Sequence, residues 1–144
     1  MSRRRSVNIF ETHSEEETIA LGRKIAQELP RRCVVLLIGN LGAGKTTLAK
    51  GILSGLGAAD PEEVTSPTFT LIHEYDRGRV YHIDLYRLDT VQQLATLGLE
   101  EIFDRDAVVL VEWGERFPQV FPADRIEVRL QAASDSVRSI SINQ

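Results

Sequence analysis

The chain has 144 residues, of which 42% are hydrophobic and 26% are charged, as is ordinary for a globular protein. Its net charge of −4 argues against broad electrostatic capture of nucleic acid, so we expect no DNA binding. The single cysteine excludes an intrachain disulfide, and no apolar run approaches the ~18 residues that a membrane span needs. We therefore expect a cytoplasmic, single-domain protein over residues 1–144, in which residues 1–5 form a disordered start.

The first half of the chain predicts two strands and two helices. Ser6–Phe10 alternates and predicts a short strand, and Ser14 with Glu17 forms a capping box for the helix that follows. That helix ends at Pro30, and its apolar positions are Ile19, Gly22, Ala26 and Leu29. The continuous apolar run Cys33–Ile38 is typical of a strand that is buried on both faces. A glycine-rich loop then leads into a helix predicted over Thr46–Leu56.

The second half predicts a helix, a buried strand and two hairpins. The helix covers Thr90–Phe103, with a possible break at Gly98, and the buried strand covers Ala107–Val111. Short polar connections predict antiparallel pairing of two pairs of segments, Phe69–Tyr75 with Val80–Tyr86 and Arg125–Leu130 with Val137–Ile142. Together the elements predict an α/β fold with a sheet of mixed parallel and antiparallel strands, flanked by helices.

The stretch GNLGAGKT, residues 39–46, matches the phosphate-binding pattern G-x-x-x-x-G-K-[ST] between a predicted strand and a predicted helix. Its glycines let successive main-chain N–H groups turn inward as an anion nest, and the positive end of the helix points at the same place. The side chain of Lys45 is expected to reach the β- and γ-phosphates, and the Thr46 hydroxyl to ligate Mg²⁺. The fold is thus predicted to be that of a P-loop NTPase, with phosphate-contacting residues Gly39, Leu41, Gly42, Ala43, Gly44, Lys45 and Thr46.

A P-loop enzyme also needs a carboxylate near its metal, usually at the end of a neighbouring apolar strand. Asp84 follows the run Val80–Ile83 and Glu112 follows the run Ala107–Val111, so each is expected where a buried strand emerges at the edge of the sheet. We expect at least one of them to serve the metal, and a carboxylate this near Mg²⁺ could also orient the attacking water. The alternative for each is an ordinary strand-end carboxylate, in water or paired with an arginine.

Four further residues have two interpretations each. Thr68, within SPTFT, either senses the γ-phosphate as part of a switch loop or belongs to a Ser-Pro turn. His82 is expected to pack within the sheet or to satisfy a core hydrogen bond. Arg87 is either an arginine finger or the partner of a nearby carboxylate, and Trp113 is either packed in the rim or an anchor for a partner.

Four blocks, GNLGAGKTTLAKG, SPTFTLIHEY, YHIDLYRL and LVEWGERFP, follow one another in an order and spacing that resemble the TsaE family, formerly called YjeE. The resemblance implies a weak, partner-coupled ATPase for threonylcarbamoyladenosine synthesis at position 37 of tRNA. Its partners would be the TsaB–TsaD heterodimer and, through that complex, tRNA; its cofactors would be Mg²⁺ and ATP, with ADP as the product.

The resemblance also implies roles for individual residues. The segment from Gly42 to Thr47 would bind ATP, Thr46 and Glu112 would ligate Mg²⁺, and Asp84 would be needed for hydrolysis. Lys45, Asp84 and Glu112 would thus be the catalytic residues. Thr68 would belong to a switch-like loop, and Trp113 would lie beside the metal site.

Three other functions are weighed against this ATPase. A GTPase lacks support because neither N-K-x-D nor D-x-x-G occurs in the sequence. A small-molecule kinase is the runner-up, although no group of arginines resembles a lid. A module that holds nucleotide without hydrolysing it is the third alternative.

Overall fold

The computed structural model describes residues 7–65 and 71–143, which form a seven-stranded sheet with helices on both faces. The strands are β1 (Val7–Thr12), β2 (Cys33–Ile38), β3 (Ile72–Tyr75), β4 (Val80–Asp84), β5 (Val108–Glu112), β6 (Ile126–Ala132) and β7 (Arg138–Asn143). The helices are α1 (Glu15–Glu28), α2 (Lys45–Gly55), α3 (Val91–Leu94) and α4 (Leu99–Phe103). Within the described ranges, every helix is too short or too polar to cross a bilayer.

The sheet is mixed, as predicted, in the order β1-β7-β6-β2-β5-β4-β3. Strand β2 lies at its centre and pairs in parallel with β5 and β6, while β4 pairs in parallel with β5. Both predicted hairpins are confirmed, because β3 pairs antiparallel with β4 and β6 pairs antiparallel with β7. The sheet is completed by β1, which pairs antiparallel with β7.

The central strand explains why the run CVVLLI carries no alternation of polar and apolar residues. Val35 and Leu37 pack into the core beneath α1 and α2, whereas Val34 and Leu36 pack into a second core with α3, α4 and the aromatic turn after β5. Because successive side chains of a strand point to opposite faces, a strand with helices on both faces must be apolar throughout.

Helix α1 begins at the predicted cap, since the Ser14 side chain accepts a hydrogen bond from the backbone N–H of Glu17 at 3.1 Å. The Glu17 carboxylate accepts from the His13 N–H at 3.0 Å rather than from the N–H of Ser14, so the second half of the predicted capping box differs. Gly22 and Ala26 are buried as predicted, whereas Leu21 and Ile25 also face the core and Ile19 is only half-buried. The reason is close packing on α2, where the backbone of Ile19 itself lies against the glycine at position 51.

One strand boundary differs from the prediction. Strand β4 ends at Asp84, because that carboxylate accepts a hydrogen bond from the Tyr86 N–H at 2.9 Å and turns the chain out of the sheet. Its partner strand, predicted over Phe69–Tyr75, begins at Ile72 within the described residues, and Phe69 and Thr70 lie outside them. The break predicted at Gly98 is confirmed, since this glycine has a φ of 70° and separates α4 from α3 and a short 3₁₀ turn.

Candidate functional site

The carboxyl ends of three parallel strands form the edge of the sheet at which the predicted site residues meet. Strand β2 runs into the phosphate loop, β4 ends at Asp84 and β5 ends at Glu112. The pairing of β4 with β5 places Asp84 directly beside Glu112, and the pairing of β2 with β5 places Leu37 on the other side of Glu112. Crevices outside the carboxyl ends of such strands are where open α/β sheets bind ligands.

The phosphate loop has the backbone geometry that an anion nest requires. Gly42 and Gly44 have φ values of 79° and 101°, in the region that favours glycine. Gly44 is the N-cap of α2 and makes no side-chain cap, so the cap residue itself satisfies none of the N–H groups at the amino end of the helix. Gly39 is required for a different reason, because a Cβ there would lie 2.6 Å from the carbonyl oxygen of Leu130.

The other loop residues differ in exposure. Leu41 is 71% exposed and lines the cleft, so it can offer a ligand both its main chain and its side chain. Ala43 is 3% exposed in the core, so it can offer a ligand only its main chain. Thr47 follows Thr46 in the first turn of α2 and lines the same cleft.

Thr46 and Glu112 are brought together although 66 residues separate them. The Thr46 hydroxyl lies 3.4 Å from Glu112 Oε1 and 3.3 Å from Oε2, and the Glu112 side chain is 4% exposed. Hydroxyl and carboxylate oxygens are suitable ligands for Mg²⁺, which usually takes its remaining ligands from water and substrate phosphates. Throughout residues 7–65 and 71–143, no three His, Cys, Asp or Glu side chains cluster as a self-sufficient metal site. These two residues therefore fit a cation that arrives with a phosphorylated ligand.

Lys45 is held close to the protein rather than extended into solvent. Its ammonium donates a hydrogen bond to the Gly39 carbonyl at 2.7 Å and lies 3.4 Å from the centroid of the Trp113 ring. Burial lowers the pKa of Lys45, and the carboxylates of Glu112, Glu115 and Asp84 oppose that change. A phosphate would offer the buried ammonium a charged partner in place of a neutral carbonyl.

Asp84 is 6% exposed and forms part of the cleft wall next to Glu112. Arg116 holds the segment after it, donating hydrogen bonds to the carbonyl oxygens of Leu85, Tyr86 and Leu88. The loop after β5 thereby fixes the loop after β4, and so fixes the relative positions of the two strand-end carboxylates.

Trp113 adopts a left-handed backbone conformation, with φ at 66°, and its ring packs on Tyr86 with the centroids 5.1 Å apart. The predicted rim packing of Trp113 is therefore seen, directly against the P-loop lysine. His82 is fully buried and hydrogen-bonds Glu112, in agreement with the expectation of a core hydrogen bond. Thr68 lies outside the described residues, so its predicted role stays a prediction.

The phosphate loop opens into a cleft of about 660 Å³, which is within the usual range for ligand sites. Part of its wall comes from elements in which the sequence predicts no site residue. The residues that these elements contribute are Ser14, Glu15 and Thr18 at the start of α1, and Asp135, Ser136 and Arg138 from the β6–β7 hairpin. Apart from the helix cap at Ser14, no sequence motif includes them, because they reach the cleft only when β7 carries β1 and the start of α1 to this edge of the sheet.

The profile of the family described as "Threonylcarbamoyl adenosine biosynthesis protein TsaE" matches residues 12–140. The tRNA threonylcarbamoyladenosine biosynthesis protein TsaE of Nostoc sp. is 41% identical over 134 residues, covering 89% of this chain and 80% of that protein. The protein of the same name from Bacillus subtilis is 39% identical, covering 92% of this chain and 82% of its own length.

The crystal structure of Bacillus subtilis YdiB superposes with a TM-score of 0.78 and 34% identity, over 99% of this chain and 88% of that one. The predicted resemblance and the predicted P-loop fold are thereby confirmed. The chain belongs to the TsaE family, whose role is in the biosynthesis of threonylcarbamoyladenosine in tRNA.

Proposed function

We propose that the chain binds ATP with Mg²⁺ and hydrolyses it to ADP, as a weak ATPase that becomes productive on the TsaB–TsaD heterodimer. The chain would act in the cytoplasm and would reach tRNA only through that complex. The observation that supports it best is the Thr46 hydroxyl and the Glu112 carboxylate 3.3 Å apart, at the amino end of α2. A hydroxyl oxygen and a carboxylate oxygen are the protein ligands that the Mg²⁺ of a magnesium nucleotide needs beside a phosphate loop.

The triphosphate would lie in the phosphate loop, with successive main-chain N–H groups and the amino end of α2 directed at it. Lys45 would leave the Gly39 carbonyl and the face of Trp113 to pair with the β- and γ-phosphates. The adenosine would then extend along the cleft toward the start of α1 and the turn between β6 and β7, because those two elements form the rest of its wall.

Bound Mg²⁺ would neutralise the charge that develops on the phosphate oxygens during hydrolysis. Glu112 and Thr46 would hold it. Asp84, its carboxylate fixed by the Tyr86 N–H, would orient the attacking water on the side of the cleft next to Glu112.

Calorimetric titration of ADP and ATP, with and without Mg²⁺, tests the binding step. Lys45→Ala should weaken nucleotide binding at least about tenfold, the scale of a lost charge-assisted hydrogen bond, and Thr46→Ala should remove the benefit of Mg²⁺. Lys50→Ala is the matched control, because this lysine is on the same helix but does not line the cleft. Wild-type affinity in Lys45→Ala would refute the proposed phosphate site.

The hydrolytic step is tested by measuring phosphate release from the chain alone and with added TsaB–TsaD. Glu112→Ala should mainly weaken the Mg²⁺-dependent binding of nucleotide, whereas Asp84→Ala should bind magnesium nucleotide normally and release phosphate more slowly. Equal rates with and without the heterodimer would contradict the coupling. Transfer of the γ-phosphate to a small acceptor, in a screen run alongside, would favour the kinase instead.

A further inference from the structure

His82 is a buried imidazole on the face of the sheet that carries the phosphate loop. Val80 and Val108 both pack into the core beneath α1 and α2. Alternation along β4 and β5 therefore places His82, two residues before Asp84, on the same face as Glu112. The His82 side chain is 0% exposed, and its Nε2 lies 2.6 Å from Oε2 of Glu112.

The direction of this hydrogen bond follows from the chemistry of its two atoms. An ionised carboxylate can only accept, so Nε2 must carry the hydrogen and donate it. Nδ1 is buried and has no hydrogen-bond partner within the described structure.

The same carboxylate faces Thr46 with both of its oxygens. A glutamate at a strand end has three rotatable side-chain bonds, and the contact with His82 selects one arrangement of them. In that arrangement the carboxylate meets the hydroxyl at the amino end of α2. Contacts of this kind from outside the ligand set commonly orient the ligands of bound metals.

We propose that His82 is a positioning residue for the divalent cation, acting by holding the Glu112 carboxylate toward Thr46. The inference rests on the proposed function, since it needs a magnesium nucleotide to be the ligand. His82 itself would contact neither the nucleotide nor the cation. Replacing His82 should weaken the binding of Mg²⁺ with nucleotide by about 10- to 100-fold and leave the binding of metal-free nucleotide unchanged.

Two amide substitutions separate positioning from packing. A glutamine at position 82 can present its amide NH₂ near the place of Nε2 and donate to Glu112. An asparagine presents its amide near the place of Nδ1 and falls short of the carboxylate. Both variants keep a polar amide at position 82 and differ in whether that amide reaches the Glu112 carboxylate. His82→Leu is the additional variant, because it removes both nitrogens without adding an unpaired donor.

The experiment measures ADP binding by calorimetry in EDTA and across a series of Mg²⁺ concentrations, on variants whose fold is checked by circular dichroism. In His82→Asn and His82→Leu we expect the half-saturating Mg²⁺ concentration to rise 10- to 100-fold, with wild-type ADP affinity in EDTA. His82→Gln should remain within a few-fold of wild type.

The possible failures are distinguishable. If wild-type protein binds ADP equally with and without Mg²⁺, the proposed cation site is overturned and the role of His82 with it. If wild-type protein depends on Mg²⁺ and His82→Leu, or His82→Asn, shows the same half-saturation, only the role of His82 is overturned. An equal loss in His82→Gln and His82→Asn, or a loss of ADP affinity in EDTA, would also overturn it, because packing would then be the cause.

Discussion

Helices α1 and α2 approach so closely at Gly51 that adding one methyl group should destabilise the protein. A Cβ at Gly51 would lie 2.2 Å from the carbonyl oxygen of Ile19 and 2.9 Å from its carbonyl carbon. A carbon and an oxygen in ordinary contact are about 3.3 Å apart, so the helices would have to separate by roughly 1 Å. The contact is with backbone, which cannot rotate away as a side chain can.

Two effects of opposite sign determine how Gly51→Ala changes the free energy of unfolding. Alanine in a helix interior is favoured over glycine by about 1 kcal/mol. Overpacking a close-packed contact costs about 1–3 kcal/mol, and a backbone contact belongs at or above the upper end of that range. We therefore expect a net loss of about 2 kcal/mol or more in the free energy of unfolding, which corresponds to roughly 4–8 °C or more in the melting temperature.

Urea and thermal unfolding followed by circular dichroism measure this change. Lys50→Ala, one position earlier on α2, is the control and should stay within about 0.5 kcal/mol of wild type. ADP affinity should fall in Gly51→Ala as well, because the start of α1 forms part of the cleft. A melting temperature equal to or above that of wild type would show that helix propensity outweighs packing here, and would refute the reasoning.

Three further predictions concern other parts of the molecule. Burial raises the pKa of Glu127, but its neighbouring guanidiniums, above all that of Arg125, lower it to below the usual 4.5. Because the folded protein favours ionised Glu127, this carboxylate stabilises the fold above pH 4.5, and the stabilisation is lost as the pH falls below that value. Between pH 5 and pH 3, the urea midpoint should therefore fall less in Glu127→Gln than in wild type. Burial raises the pKa of the Cys33 thiol to about 11 from 9.0, so iodoacetamide should alkylate it about 100-fold more slowly in native than in urea-unfolded protein at pH 8. Arg116→Lys should lower the free energy of unfolding in urea by about 1–3 kcal/mol, because a lysine cannot reproduce the guanidinium contacts with the carbonyls of Leu85, Tyr86 and Leu88. An unchanged urea midpoint would show that Arg116 does not hold the two loops together.

The sequence by itself determined the features that rest on local backbone chemistry. The glycines of the phosphate loop, the Ser14 cap and the unbroken apolar run of β2 each follow from the conformational or burial demands of a few consecutive residues. The same reasoning placed Asp84 and Glu112 at strand ends. The family resemblance lay in four blocks whose order and spacing can be read without a structure.

The tertiary structure decided what depends on contacts between residues that are distant in the chain. The pairing of Glu112 with both Thr46 and His82 requires the register of β4 against β5 and the packing of α2 on the same face. The cleft wall supplied by α1 and the last hairpin requires the sheet order, which no local pattern encodes. Side-chain periodicity determines which face of its element a residue occupies. The residue that it contacts on that face depends on how the elements pack, and the chemistry of this site depends on those contacts.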